Sequence, residues 1–416
     1  MRSVKRTSKG SRHFIQAFFY SCFLFLLGTF AFRQTLSFYY LESAFVSGSD
    51  SEAASAISFQ PDNPRASEIR GLLYLRNGDP GSAVAAFEAA ILLRQNSFLL
   101  WLRLGYARYK SRDLSGAKEA YLKALRLAPN YSQTNLYMGK MLLETGQRDK
   151  AFPFLSKAAE FDSDLYTQVL HMARLSYSDD PLAIENAVWP DSAGGRLIVA
   201  RYFLRHSFLT PNLKAFFTGS GLSGSEKDEV IRSLIGNGNF RDARSVWISK
   251  TEAPDTPIFD GGFEQITQSD ESGFGWQVNQ RVSASSVARD QYAVHSGSGA
   301  LKIKFTGGVQ VNTPIVSQLA YVEPHRKYQL KLFVRVPEMI SAGLPAIVVS
   351  GPASDELLGR SAPINVTGGE WVEMKVDFVS GDSPVANISL QRTACAAAPC
   401  PIFGELSLDD FSLSEN

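Results

Sequence analysis

Acid–base chemistry in this chain would fall to two pairs of adjacent aspartates, Asp179-Asp180 and Asp409-Asp410, and to five histidines, His13, His171, His206, His295 and His325. Glycoside hydrolysis needs two carboxyl groups across one scissile bond. Adjacent acids on a strand point to opposite faces, so neither pair is expected to flank such a bond. The histidines are scattered, and structural or solvated roles are expected for all of them. The chain has no zinc-peptidase helix motif, no nucleophile elbow, no phosphate-cradling loop and no glycine-rich dinucleotide turn. A protein without enzymatic activity is expected.

Sulfur chemistry is equally limited. Three cysteines make neither a disulfide framework nor a four-ligand zinc site. Cys22 lies in an apolar run, while Cys395 and Cys400 bracket the loop Cys395-Ala396-Ala397-Ala398-Pro399-Cys400. In an oxidising compartment this loop reads as a hairpin tip closed by a local disulfide, with two free thiols as the alternative. So short a loop limits the stabilisation a bridge can give.

The elements that would position any site follow from composition and pattern. At 416 residues, with 44% hydrophobic and 20% charged residues, the chain has room for two or three folded domains. A formal net charge of +1 gives no general attraction to nucleic acid, which is not an expected partner. Residues 1–13 form a basic tail carrying Arg2, Lys5, Arg6, Lys9 and Arg12. Phe14 to Phe32 then runs without a charge, and this stretch of helix would span about 28 Å, close to a bilayer core of ~30 Å. A transmembrane signal anchor over 14–36 is expected, with the basic end cytoplasmic and the body crossing outward, which is the periplasm in a bacterial cell. A cleaved signal peptide is the competing reading, although its apolar core is usually only ~7–15 residues.

The middle of the chain repeats. Gly71, Gly105 and Gly139 recur at one constant interval, and Ala83, Ala117 and Ala151 recur at the same one, as do Ala90, Ala124 and Ala158. This register resembles tetratricopeptide repeats (TPR), with Trp101, Leu104, Gly105, Tyr121 and Pro129 at the pattern's large, small and terminating positions and Tyr74 and Phe87 matching in the preceding unit. Asn135 and Ser163 depart from it in the third unit, while Ala56 and Pro61 extend the grid toward the N-terminus. The resemblance implies an α-solenoid over 42–178 that binds a protein partner on its concave face, with Trp101, Tyr74, Tyr106 and Tyr121 packed between helices. Beyond about residue 164 the register fades, with Leu165 to Tyr177 still reading as a helix, and degenerate helices are expected over 179–250, including Arg196 to His206, Glu226 to Ile235 and a helix through Phe240 to Trp247. A linker is expected at 251–257.

From 258 to 416 the pattern changes to short runs rich in Val, Ile, Leu and aromatics between Gly, Pro, Ser and Asp. Leu301 to Phe305 and Trp371 to Phe378 alternate with period two, as half-buried strands do. A two-sheet antiparallel β-sandwich follows. In order, Gly261-Gly262-Phe263-Glu264, Gly275-Trp276, Val294 to Ile303, Tyr328-Gln329-Leu330 leading to Val334-Arg335, Glu370-Trp371-Val372 and Leu408 to Leu413 resemble carbohydrate-binding modules of families 4, 9 and 22, jelly rolls of the galactose-binding-like type.

That resemblance implies a structural Ca²⁺ where the first and last strands meet, held by Glu264, the Gly262 carbonyl region and Asp409, with Asp410 as the alternative acid. A solvated turn with Asp409 capping backbone amides is the other reading. Trp276 and Trp371 stand at framework positions and are expected in the core. Tyr292, Tyr321, Arg335 and Gln391 are the expected sugar contacts. The whole is expected to be a multidomain α plus all-β protein. Its anchored extracytoplasmic body would join a protein partner to a polysaccharide as an accessory of cell-surface or exopolysaccharide assembly or export. A pure protein–protein scaffold whose sandwich binds no glycan is the rival.

Overall fold

In the computed structural model, helices run from Ser8 to Thr251 and strands from Gln277 to Glu415. Residues 8–265, 272–282, 285–352, 356–392, 395 and 400–416 are described, with backbone alone for 8–15. Arg2, Lys5 and Arg6 of the expected basic tail lie outside the described residues, as do the side chains of Lys9 and Arg12. The chain divides into two compact units, Met1–Val199 and Ala200–Asn416.

The first unit is a succession of helical hairpins. They are α1 (Ser8–Ser47) with α2 (Asp50–Phe59), α3 (Pro64–Arg76) with α4 (Pro80–Leu93), α5 (Phe98–Lys110) with α6 (Leu114–Leu127), α7 (Ser132–Glu144) with α8 (Arg148–Phe161), and α9 (Tyr166–Ser176) with α10 (Pro181–Val188). The helices start where short polar side chains satisfy free amides. Asn63, Asp79 and Asp113 accept from the N–H groups of Arg65, Ser82 and Gly116. Pro64 and Pro80 occupy first-turn positions, where no amide donor is missed.

The repeat grid is a packing code. A Cβ placed on Gly71, Gly105 or Gly139 would stand 2.6 Å from Phe87, Tyr121 or Leu155, which sit at one common position of the second helix in each hairpin. Each glycine therefore lets a large side chain of the second helix press against the first. Ala83, Ala117, Ala151, Ala90, Ala124 and Ala158 are all fully buried. Asn135, a departure in the sequence pattern, takes over the part of its counterpart Trp101. Trp101 Nε1 donates to the Gln95 carbonyl at 2.8 Å and Asn135 Nδ2 to that of Pro129 at 3.1 Å, each reaching back to the turn before its helix.

The grid also extends further toward the N-terminus than expected. Ser37, one repeat interval before Gly71, is fully buried and its Oγ donates to the Ala56 carbonyl at 3.1 Å. The same helix that carries the apolar run therefore becomes the first helix of a repeat. Side chains of residues 16–35 are exposed, and from Ser37 onward Leu41 and Ala44 pack with Ala53, Ala56, Ile69 and Leu73. By length and composition Gln16–Ser47 is long and apolar enough to be a membrane span or a signal sequence.

The second unit contains the end of α11 (Ala193–Arg205), then α12 (Pro211–Thr218), α13 (Gly224–Gly236) and α14 (Phe240–Thr251), followed by the strands. The strands are β1 (Gln277–Val278), β2 (Ser285–Asp290), β3 (Ala300–Gly307), β4 (Val316–Tyr321), β5 (Lys327–Arg335), β6 (Met339–Ser341), β7 (Pro345–Ser350), β8 (Leu357–Arg360), β9 (Trp371–Val379), β10 (Val385–Arg392) and β11 (Ile402–Glu415). They form antiparallel sheets ordered β1-β4-β10-β7-β8 and β2-β3-β11-β5-β9, with β6 also on β11. Ile303, Leu332 and Leu408 from one sheet and Ile347, Ile388 and Leu390 from the other share a single core, as in a β-sandwich.

The segment expected to link helices and strands is fastened. Trp247 on α14 is buried between Phe259 and Phe274, and its indole fills the space over Gly273. Arg244 donates to Asp255 Oδ1 at 2.7 Å and to the Thr256 carbonyl at 2.6 Å. The Tyr321 amide of β4 donates to the Pro257 carbonyl at 3.0 Å.

Candidate functional site

The residues expected to hold calcium meet where the first loop of the sandwich reaches the last strand. The Phe411 amide donates to the Gly261 carbonyl at 2.9 Å, and a Cβ on Gly261 would collide with the Phe411 carbonyl, so glycine is required there. Asp410 adopts φ +52°, and the pairing of β11 with β5 shifts register between Asp409 and Ser412. This bulge turns both acids toward the loop after β2, which the alternation rule did not anticipate. Asp409, fully buried, accepts from the amides of His295 at 2.8 Å and Ser296 at 3.3 Å on Oδ2, and from the Asp410 amide at 2.8 Å on Oδ1. Asp410 Oδ2 lies 2.6 Å from His295 Nδ1, and its Oδ1 accepts from Ser296 Oγ at 2.8 Å. Glu264 accepts from the amide of Ser298 at 2.9 Å and lies 3.6 Å from Arg289.

These carboxylates are taken up by amide, hydroxyl, imidazole and guanidinium donors. Among the described residues no group of three or more His, Cys, Asp or Glu stands ready for a metal. As arranged, the set does not fit a hard cation wanting six to eight oxygens. Asp409 does the amide capping of the alternative reading. Burial pushes its carboxyl above the ordinary range, and the amide hydrogen bonds pull against that.

The four expected sugar contacts do not converge. Tyr292 is 98% exposed in the turn after β2. Tyr321 lies under α14, with the Arg244 guanidinium 4.8 Å from its ring centre and Arg241 Nε donating to its hydroxyl at 3.3 Å, so its face is not open to a sugar. Arg335 is on the outside of the other sheet, where Nε donates to the Gly369 carbonyl at 2.7 Å. Trp371 pairs with it there, half-buried, and its ring meets His295 in a T-shaped contact with centres 5.7 Å apart, so it is not the core residue expected. Trp276 is in the core, donating to the Asp260 carbonyl at 3.0 Å. Gln391 alone lines a hollow.

That hollow belongs to a polar trough across the outer face of the five-stranded sheet. Register places Gln277, Ser317, Ser389, Val348 and Arg360 in one transverse row over β1, β4, β10, β7 and β8. Short side chains make the floor: Ser389 and Val348 are almost fully buried although their strand neighbours Ile388, Leu390, Ile347 and Val349 face the core. A hollow of about 190 Å³ lies between Asn387, Gln391, Ser350 and Leu357 on one side and Asn312 and Pro314 on the other. A second, of about 520 Å³, continues past Pro314 between Ser317, Gln277, Gln280 and Arg281. Asn279 fixes the shared wall by donating to the Pro314 carbonyl at 2.9 Å. Alternation along β10 puts Asn387, Ser389 and Gln391 on one face, a polar stripe already present in the sequence.

In the first unit, the first helices of successive hairpins share a ladder of side chains. Arg103 on α5 forms an ion pair with Glu68 on α3, and the Tyr109 hydroxyl donates to Glu144 on α7. The Tyr106 and Tyr137 rings lie 5.2 Å apart, with Lys110 over Tyr106. Burial and the Glu144 carboxylate push the Tyr109 hydroxyl up to about 12. Tyr121 is fully buried and its hydroxyl has no hydrogen-bond partner among the described residues. Tyr74 donates to Asp50 at 3.1 Å.

Cys395 and Cys400 are disulfide-bonded. Ala396 to Pro399 of their loop lie outside the described residues. Behind the bridge Arg392, 1% exposed, spends all its donors on the Gly343, Val309 and Cys400 carbonyls, Ser341 Oγ and Cys400 Sγ.

Comparison with known proteins bears on the first unit. Tetratricopeptide repeat models match residues 37–99 and 98–131, so the chain carries TPR repeats. The peroxisomal targeting signal receptor of Candida albicans is 30% identical over 76 residues, covering 18% of this chain and 13% of that protein. The heat-shock protein cognate co-chaperone sgt12 of Aspergillus fumigatus is 33% identical over 93 residues, covering 22% of this chain and 26% of that one. The chain thus spans about a quarter or less of either relative. A crystal structure of MamA protein is 18% identical with a TM-score of 0.35, covering 44% of this chain and 98% of that one. The first TPR of Spaghetti (RPAP3), bound to an HSP90 peptide, is 21% identical with a TM-score of 0.26, covering 27% and 95%.

Proposed function

We propose that this protein is a non-enzymatic adaptor, held at a membrane by α1 with its body outside the cytoplasm, whose repeats bind a protein partner and whose sandwich binds a polysaccharide. The observation that carries the glycan part is the trough on the five-stranded sheet. Its uncharged amides and hydroxyls (Asn387, Gln391, Gln277, Gln280, Ser317) match the donors and acceptors of sugar hydroxyls. Among the described residues its lining holds no carboxylate, which supports binding without hydrolysis.

The protein-binding part rests on the TPR repeats and on the ladder of Arg103, Tyr106, Tyr109 and Tyr137 across α3, α5 and α7. Relatives of this class include a co-chaperone and a targeting-signal receptor, and one similar solved structure holds an HSP90 peptide. An accessory role in cell-surface or exopolysaccharide assembly or export fits the combination.

The test uses the full chain in detergent micelles, run through gels containing single polysaccharides. Retardation that is lost in Gln391→Ala and in Ser317→Tyr, which fills the trough, supports the reading. Unaltered mobility in every gel removes it. The lack of an aromatic side chain among the lining residues favours one rival, a scaffold that binds protein alone. That rival predicts partner capture through the repeats, lost in Tyr106→Ala, with no response to any glycan.

A further inference from the structure

The trough ends in cations at both edges of its sheet. Arg360 stands on the edge strand β8, opposite Val348 and therefore on the outer face, and is exposed. Arg281 lines the larger hollow next to β1, the other edge strand, and is exposed as well. Among the described residues neither guanidinium has a carboxylate partner, although ion pairs are common elsewhere on the sandwich: Lys302–Glu405 at 2.7 Å, and Lys331 and Lys375 on Glu373 at 2.8 and 2.7 Å. Among the described residues no acid lines either hollow. Glu356 is the acid next to the lining residue Leu357, and its carboxylate packs against Gly351 and Gly381.

Four inter-strand steps separate β1 from β8, about 19 Å at ~4.8 Å per step. A ligand lying across the strands therefore meets amides and hydroxyls along its length and, at each end, a guanidinium with no carboxylate partner among the described residues. Guanidinium groups bind carboxylates through paired N–H donors, a geometry that sugar hydroxyls do not reward.

From this we infer that the polysaccharide is anionic, a chain bearing carboxylates on its sugars that crosses the five-stranded sheet with acid groups at Arg281 and Arg360. The inference rests on the glycan reading above and narrows it to one chemical class.

Affinity gels containing polygalacturonate, alginate or hyaluronate are compared with gels containing the methyl-esterified form of each, using the full chain in detergent micelles. The acidic forms should retard the protein and the esterified ones much less, with retardation falling as salt is raised. Arg281→Gln and Arg360→Gln should each weaken binding about fivefold, and both together more, with the melting temperature unchanged because neither side chain has a carboxylate partner to lose. Equal retardation by acidic and esterified forms overturns the anionic class and leaves the glycan reading standing. Equal retardation by poly-glutamate reduces the effect to general charge attraction and overturns it too. No retardation in any of these gels overturns the anionic class, and the neutral-polysaccharide gels described above then decide the glycan reading separately.

Discussion

Asp409 and Asp410, neighbours in sequence, close on the same residue: one takes the amide of His295 at 2.8 Å and the other faces its Nδ1 at 2.6 Å. The left-handed backbone at Asp410 makes this possible, and the imidazole is held flat on Phe333 with ring centres 3.7 Å apart. The junction of the loop after β2 with the last strand is thus tied by side chains and amides of the chain itself.

Asp409→Asn replaces one accepting oxygen by a donor that must face an amide N–H, at a cost of about 1–3 kcal/mol at pH 7. Burial raises the Asp409 pKa, so the folded chain holds that proton more tightly than the unfolded one. Its contribution therefore favours the fold below the ordinary carboxylate value of ~4 and is lost as pH rises through the folded value. The stability gap between wild type and variant should widen on acidification. Urea unfolding followed by tryptophan fluorescence across that range measures it, and a gap that narrows contradicts the assignment.

Calcium at the same junction would have to displace Arg289 from Glu264 and His295 from Asp410. Chelation is accordingly expected to leave the melting temperature of the full chain unmoved. A bound ion stabilises the folded state by mass action. A clear fall with chelator, reversed by added Ca²⁺, would restore the calcium reading.

What was legible in the sequence divides along the range of the interactions. The repeat grid could be read because Gly71 meets Phe87 and Gly105 meets Tyr121 within one hairpin, so spacing along the chain reports contact in space. Strand alternation placed Ile303 and Val376 in the core for the same local reason. The bulge at Asp410 depends on a positive φ that no alternation encodes. Tyr321 looked like an open aromatic because its cover, Arg244, comes from α14, far earlier in the chain. The trough needs the register of five strands, and β1 is distant in sequence from β10, its partner in that face.

The turn between α5 and α6 holds a residue poorly suited to it. Gly78, Arg112 and Gly146 occupy equivalent positions in successive repeats, with φ +76°, +69° and +73°. A side chain in this left-handed conformation costs roughly 1–2 kcal/mol, offset by the extra freedom glycine gives the unfolded chain. Arg112→Gly should stabilise the repeats by about 0.5–1 kcal/mol, read as a raised melting temperature in the far-ultraviolet circular dichroism of the helices. A drop would mean that Arg112 makes contacts worth more than its strain.

The sandwich and α14 should melt together. Trp247 is 2% exposed between Phe259 and Phe274, so Trp247→Ala removes a large buried ring and should cost about 3–5 kcal/mol. Because Arg244 ties Asp255 and Thr256 to the same helix, the loss should also open residues 251–257 to protease in the otherwise folded chain. Cleavage there in wild type at the same rate would show the segment to be a free tether.

Arg392 tests how the sandwich tolerates a buried charge without a counter-ion among the described residues. Its donors meet five acceptors on four residues, and burial lowers its pKa, yet a guanidinium stays protonated. Lysine has three donors on a narrower head, so Arg392→Lys strands at least two acceptors at about 1–3 kcal/mol each. Two of the five bonds end on Cys400, which makes the guanidinium and the Cys395–Cys400 bridge supports of one loop. Reduction and Arg392→Lys should therefore be non-additive: dithiothreitol should lower the melting temperature of the variant by less than it lowers that of wild type. Equal shifts in the two proteins would separate the bridge from the guanidinium and leave Arg392 holding only Val309 and the Ser341–Gly343 turn.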